Sequence, residues 1–303
     1  MEPTRAKLPS EAIELYNLFI HGVISRRAFM EGVQRFAIGG LAATTIIEAL
    51  MPNYALGQQV SKTDDRIKTT SETVPSPQGN GSIKGYLVRP VSADTRAETV
   101  VKLPGILVVH ENRGLNPHIE DIARRLALAN FMAFAPDGLT SLGGFPGDDY
   151  KGGQLFRKVD GKKMGEDFVA SAMWLKSRAD CTGKIGAIGF CYGGSISNIL
   201  AVRLGADLAA AVPFYGATPA QEDIPKIKAA ILVHHGELDT RLAATWPAYD
   251  MALKEVSVPH EGYIYPGAVH GFNCDATPER YNKPAADLAW QRTVDWFNKY
   301  VRA

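Results

Sequence analysis

Ile185-Gly186-Ala187-Ile188-Gly189-Phe190-Cys191-Tyr192-Gly193-Gly194 is the stretch on which the fold turns. It reads as an apolar strand, a sharp turn and the start of a helix, with Cys191 at the centre of a G-x-C-x-G pentad. Such a turn strains its central residue and brings strand and helix so close that the positions two before and two after must lack a side chain. The turn presents the thiol at the carboxyl end of the strand. There the helix N-terminus favours a thiolate, and the N–H of Tyr192 is placed as an oxyanion donor. The plainer reading is a tight strand–helix turn around an inert buried cysteine. A dinucleotide phosphate loop is excluded, because the glycines do not fit G-x-G-x-x-G.

Outward from this turn, the chain alternates apolar runs with helical patterns. Ile67–Val74 and Ser82–Arg89 read as an antiparallel pair across a Pro- and Gly-rich loop. Gly105–Val109 is a strand buried on both faces, and the spacing of Ile119, Ile122 and Leu126 predicts a helix entered through Pro117. Strands follow at Phe131–Ala135, Lys184–Ile188, Ala209–Pro213, Ala230–His234 and Tyr263–Tyr265. Between and after them come helices over Met164–Ala179, Gly193–Leu204, Trp246–Val256 and Ala285–Tyr300. This alternation predicts an α/β fold, a mainly parallel central sheet with helices on both faces. Gly143–Asp149 is the loosest internal loop and a candidate pocket rim.

Two further residues fall just past strands, where open parallel sheets place their sites. Asp239 ends His234-His235-Gly236-Glu237-Leu238-Asp239, and His270 lies in Tyr265-Pro266-Gly267-Ala268-Val269-His270-Gly271-Phe272. Either alone reads as a solvated loop residue. Nucleophile, acid, histidine in that order is the α/β-hydrolase arrangement, so Cys191, Asp239 and His270 are the candidate catalytic residues.

At these residues the sequence resembles the dienelactone hydrolase family, over roughly Ile67 to Val301. The resemblance rests on Gly189-Phe190-Cys191-Tyr192-Gly193-Gly194, Pro213-Phe214-Tyr215-Gly216, Gly236 to Asp239, and Tyr265 to Phe272. It implies a Cys–Asp–His triad at Cys191, Asp239 and His270. It also implies that Glu111, in His110-Glu111-Asn112-Arg113-Gly114, contacts the resting thiol, with the N–H of Asn112 as second oxyanion donor. The family's substrate-gripping arginines have no counterpart, since residues 137–150 contain none and Cys274 stands four residues past His270. Arg113 and Arg241 are the candidate substitutes, so the triad carries over and the dienelactone substrate does not.

Other constellations are weaker. His110-Glu111 followed by His118 lacks zinc-protease spacing. His234 and His235, adjacent on a strand, point to opposite faces and do not serve one metal site. No cofactor is expected. With 33 basic and 32 acidic residues, the formal charge of +1 provides no field for nucleic acid.

Ser25-Arg26-Arg27-Ala28-Phe29-Met30, an apolar run from Phe36 to Met51 and Ala55-Leu56-Gly57 form the pattern of a twin-arginine export signal. The apolar run contains Glu48 and is shorter than the roughly 20 residues of a membrane span. On this reading residues 1–57 engage the twin-arginine translocase and are removed, leaving a periplasmic catalytic domain of residues 58–303. The alternative is a cytoplasmic protein that keeps the segment as a helix packed on the domain.

The expected activity is hydrolysis of a small-molecule ester or lactone through a thioester on Cys191. A non-catalytic binding protein and a thiol redox sensor are the rivals. Three cysteines in no C-x-x-C pair do not describe a disulfide framework. Cys181 precedes the strand Lys184–Ile188 at the amino end of the sheet and Cys274 follows His270 at the catalytic end, and five residues at about 3.3 Å each span roughly 16 Å, beyond the ~7 Å a bridge allows. Thiol counting on unfolded, unreduced protein is therefore expected to find three free thiols. A mapped Cys181–Cys274 bridge would place a strand end wrongly.

Overall fold

The computed structural model describes residues 8–20, 22–37, 43–91 and 101–302. Residues 38–42, within the apolar run of the export pattern, lie outside them. Eight strands form one sheet: β1 (Ile67–Ser76), β2 (Gly81–Pro90), β3 (Leu103–Val109), β4 (Met132–Pro136), β5 (Cys181–Phe190), β6 (Ala210–Phe214), β7 (Ala230–Gly236) and β8 (His260–Tyr265). Their order is β1-β2-β4-β3-β5-β6-β7-β8. The β1–β2 and β2–β4 pairs are antiparallel and all others parallel. This is the α/β-hydrolase fold class. The expected elements all form, with ends moved by a few residues; β5 grows most, running from Cys181 to the residue before Cys191.

The helices are α1 (Ser10–Ile20), α2 (Arg26–Val33), α3 (Ala43–Leu50), α4 (Tyr54–Gly57), α5 (Pro117–Leu128), α6 (Asp149–Phe156), α7 (Gly161–Ser177), α8 (Tyr192–Leu204), α9 (Thr240–Ala243), α10 (Trp246–Glu255) and α11 (Lys283–Phe297). Period-two alternation along β3 sends Ile106 and Val108 to one face and Leu107 and Val109 to the other. The first pair packs with Ile119 and Leu126 of α5 and Phe297 of α11. The second packs with Phe168 and Leu175 of α7, Leu200 of α8 and Leu253 of α10. Burial on both faces is why these strands are continuously apolar rather than alternating.

Helices α1–α3 bury a small core of their own around Tyr16, Phe29, Ile46 and Leu50, with Phe19 stacked on Phe29 at 4.7 Å. Ser25 caps α2 by accepting from the Ala28 N–H. Arg26 lies over the Tyr150 ring and Arg27 pairs with Glu31 at the surface. No helix among the described residues is long and apolar enough to cross a membrane. The loop at 143–149 divides: Gly143, Gly144 and Phe145 border a cleft of ≈ 450 Å³ shared with β2 (volume of the cleft), whereas Asp149 opens α6 at the site cavity.

The passage from β5 into α8 is closed to side chains. A Cβ at Gly189 would lie 1.9 Å from the Gly193 carbonyl oxygen, and one at Gly193 would lie 2.2 Å from that of Val109. Gly193→Ala is therefore expected to lose at least ~1–3 kcal/mol by overpacking against backbone that cannot yield. Gly161→Ala, at the start of α7 with nothing within 4 Å of its Cβ, serves as the neutral control. Urea denaturation that finds Gly193→Ala as stable as the control would refute the steric account.

Candidate functional site

Cys191 sits between β5 and α8 at φ 55° and ψ −111°, a conformation an L-residue adopts only under strain. Its N–H donates to the Phe214 carbonyl (3.1 Å), and its own carbonyl accepts from the Ser195 N–H (3.2 Å). The thiol thus stands at the N-terminus of α8, half-buried.

Past β7, Asp239 opens α9; past β8, a Gly-rich turn carries His270. The two meet side chain to side chain, His270 Nδ1 to Asp239 Oδ2 at 2.5 Å. The Cys191 thiol acts on the same ring, and the two line one pocket. Burial alone would lower the His270 pKa, but the negative charge at Cys191 and the bond to Asp239 outweigh it and raise the pKa to about 10. Burial likewise works to raise Asp239, yet the hydrogen bond and charge of His270, helped by Arg241, hold it below the usual carboxylate range. The arrangement sets a buried carboxylate, an imidazole and a thiol side by side, with the imidazole able to deliver and take back one proton.

The loop after β3 supplies the opposite wall. Gly138 donates its N–H to His110 Nε2 (2.9 Å), which leaves Nδ1–H to donate to the Glu111 carbonyl (2.5 Å). Burial keeps this histidine neutral by lowering its pKa, so it pins the Glu111–Asn112 backbone to the loop after β4. Glu111, Asn112 and Arg113 all border an enclosed cavity on one side of Cys191. That cavity has room for about one water, ≈ 10 Å³. On the other side Asn112, Tyr192 and Arg241 line an open pocket of ≈ 300 Å³ that holds both Cys191 and His270.

The candidate catalytic, oxyanion, thiol-contacting and substrate-binding residues therefore all gather within this region. Arg113 is buried and spends one N–H on the Ile20 carbonyl (3.3 Å), whereas Arg241 faces the open pocket. Cys274 shares the enclosed cavity with Cys191. Burial, with the Glu111 charge, pushes its thiol up to about 12, so it stays protonated at neutral pH. Cys181 is buried at the other end of β5, and none of the three cysteines is in a disulfide.

Four contributors were not read from the sequence. Tyr16 and Tyr54 reach the enclosed cavity from α1 and α4, and Arg280 reaches it from the segment before α11. The Arg280 guanidinium lies over the Tyr16 ring at 5.3 Å, and the Tyr54 hydroxyl donates to Asp149 (2.6 Å). None of the three belongs to a local motif, so only tertiary packing brings them in. Tyr215 is the fourth: it is buried at φ 37°, its ring 4.9 Å from that of His270, its hydroxyl without a partner. Two strained non-glycine residues beside one histidine were foreshadowed only by Tyr215 lying in Pro213-Phe214-Tyr215-Gly216.

The adjacent histidines separate as strand geometry requires. His234 accepts from the Tyr265 hydroxyl (2.9 Å) and donates to Thr293 (3.2 Å) inside the core. His235 points toward the Asp239 side, and burial lowers its pKa to about 4. Neither shares a ligand set with the other.

Residues 83–301 match the model of the dienelactone hydrolase family, and the chain belongs to that family. It is 51% identical over 120 residues to a hydrolase-fragment candidate, YghX, of Escherichia coli, covering 40% of this chain and 97% of that one. It is 32% identical over 262 residues to a carboxymethylenebutenolidase candidate of Synechocystis, covering 78% and 98%. A crystal structure of a dienelactone hydrolase candidate from Klebsiella pneumoniae superposes with a TM-score of 0.65 at 27% identity, covering 77% of this chain and 99% of that one. Family and fold together place the chain among α/β-hydrolase-type esterases and lactone hydrolases. Helices α1–α4 precede the family match.

If Asp239 holds the imidazolium, Asp239→Asn removes part of the upward push on His270. The pH at which the His270 ring loses its proton is then expected to fall below about 10. Nitrogen-15 NMR of the ring across pH 6–11 reads this directly. An unchanged or higher titration in the variant would contradict the assignment.

Proposed function

We propose that this protein hydrolyses a small-molecule ester or lactone through Cys191, His270 and Asp239, with no cofactor. The observation that carries this reading is the His270 ring held between the Asp239 carboxylate and the Cys191 thiol. The Cys191 thiolate attacks the carbonyl carbon, and the oxyanion is received by the N–H groups of Tyr192 and Asn112. His270 protonates the leaving oxygen as the C–O bond breaks, leaving an acyl thioester on Cys191. It next takes a proton from water, which attacks the thioester and restores the thiolate. Asp239 fixes the ring's tautomer throughout. Glu111 is the resting thiol's neighbour, and Arg241, on the open pocket, is better placed than Arg113 to meet substrate. Thioesters hydrolyse readily and amides need more leaving-group help, which favours esters and lactones over peptides. A binding protein on this fold would have no use for the ordered Asp239–His270 pair, and a thiol sensor would use it only to lower the Cys191 pKa, with no turnover.

The N-terminal segment has two readings. Arg26-Arg27 and the residues after them support export by the twin-arginine translocase, with removal of residues 1–57. Packing of Tyr16, Ile20 and Tyr54 against the site cavity supports a segment kept in the working enzyme. The mass of the N-terminal peptide from native protein separates them: a start near Gln58 favours removal, a start ahead of α1 favours retention.

Because the three residues act as a unit, Cys191→Ala and His270→Ala are each expected to cut kcat/KM for aryl esters by roughly 10³-fold or more. The double variant costs little beyond either single one. Undiminished hydrolysis by Cys191→Ala would overturn the mechanism. Reversible oxidation of Cys191 with no turnover in any variant would favour the sensor.

A further inference from the structure

The open pocket and the enclosed cavity do not exhaust the space around His270. A third space, a groove of ≈ 620 Å³, runs from His270, Val269 and Asp239 along helix α1. It meets the open pocket at His270 and Arg241, which line both. Ile13 of α1 and Val269 form apolar floor, and Leu18, Val23 and Leu238 stand at the rim. These three rim residues are 37%, 68% and 57% exposed. Exposed apolar side chains scattered singly need no explanation, but three converging on one groove beside a buried histidine mark a binding surface.

Helix α1 is held firmly enough to be a wall. Its last carbonyl, that of Ile20, accepts from the side chains of Asn112 (2.9 Å) and Arg113 (3.3 Å). Further along the segment, the Asn53 N–H donates to the Ala276 carbonyl (2.6 Å), and Tyr54 bonds Asp149. Helix α1 is thus tied to the loop after β3, and α4 to α6 and the segment after His270, while Phe19 of α1 stacks on Tyr150 of α6 at 6.1 Å.

The chemistry of the reaction tells the two arms of a substrate apart. His270 hands its proton to the leaving oxygen, so the alcohol departs on the histidine's side of Cys191, while the acyl group stays on the sulfur. The enclosed cavity, at about one water, is too small for either arm. We propose that the groove between α1 and the Asp239 and His270 loops binds the apolar alcohol portion of the ester. The N-terminal helices, which lie outside the family match, thereby select the substrate. This inference rests on the hydrolytic reading of the same site. It assigns the enzyme to esters of alcohols with an alkyl or similarly apolar chain, and it requires the segment to be present in the working enzyme.

The test uses the full chain. Acetate esters of alcohols from ethyl to hexyl vary the alcohol arm, and ethyl esters from acetate to hexanoate vary the acyl arm. In the wild type, kcat/KM is expected to rise about two- to four-fold per methylene along the alcohol series, up to the value for full burial of each CH₂. Leu18→Asp and Val23→Asp are each expected to collapse the hexyl-to-ethyl ratio, a readout insensitive to how much protein folds. Met251→Asp, at an exposed residue away from the groove, retains it. An equal ratio in wild type and both rim variants, or a chain-length gain confined to the acyl series, would overturn the inference. Binding of 1-hexanol, followed by the methyl NMR signals of Leu18 and Val23, reads the groove without turnover. Binding with no ester hydrolysis would sink the Cys191 reading and leave the groove standing; no perturbation of either methyl would sink the groove.

Discussion

Everything at the site depends on one contact: α8 crosses the ends of β3 and β5 so closely that a side chain at Gly189 or Gly193 would run into backbone. That approach holds Cys191 at positive φ, a conformation costing on the order of 1–3 kcal/mol that persists only because the surroundings over-determine it. It also abuts Gly193 on the carbonyls of Val109 and His110, so the elbow and the Glu111–Asn112 loop take their positions from each other. Gly194 and Gly216 repeat the pattern toward β6, where Tyr215 in turn adopts positive φ against His270. The thiol and the Glu111–Asn112 loop are placed by packing of backbone on backbone, and the histidine by the Tyr215 ring and the Asp239 carboxylate.

The electrostatics built on this frame separates two cysteines in one neighbourhood. Cys274 is enclosed beside the Glu111 charge and is driven to the neutral thiol. Cys191 stands at a helix N-terminus facing an imidazolium that is itself sustained by Asp239. The same side chain meets an anion in one setting and a cation in the other, and the difference lies in neighbours rather than depth. Burial acts on His110 and His235 too, but without an adjacent anion strong enough to reverse it, so both are lowered where His270 is raised.

Much of this was legible in the sequence because it is local. The glycine spacing around Cys191 states a steric demand, and the order of Cys191, Asp239 and His270 follows strand ends that apolar runs reveal. Helix α6 was passed over because Gly152 and Gly153 dilute its pattern. Tyr16, Tyr54 and Arg280 were invisible for a different reason: each arrives from a separate part of the chain, and no spacing records that they meet. The twin-arginine pattern shows the limit from the other side. A linear pattern of basic, apolar and small residues is indifferent to whether the same residues pack, and α1–α3 pack around Tyr16, Phe29 and Leu50.

The central claim is covalent chemistry at Cys191, and its most direct test is to catch the acyl group there. Intact-protein and peptide mass spectrometry within milliseconds to seconds of mixing with an activated aryl ester should find one acyl group. It should reside on the peptide containing Cys191, be released by hydroxylamine at neutral pH, and accumulate when Asp239→Asn slows its hydrolysis. Acylation of another residue, or steady turnover with no acyl group ever on Cys191, would contradict the account.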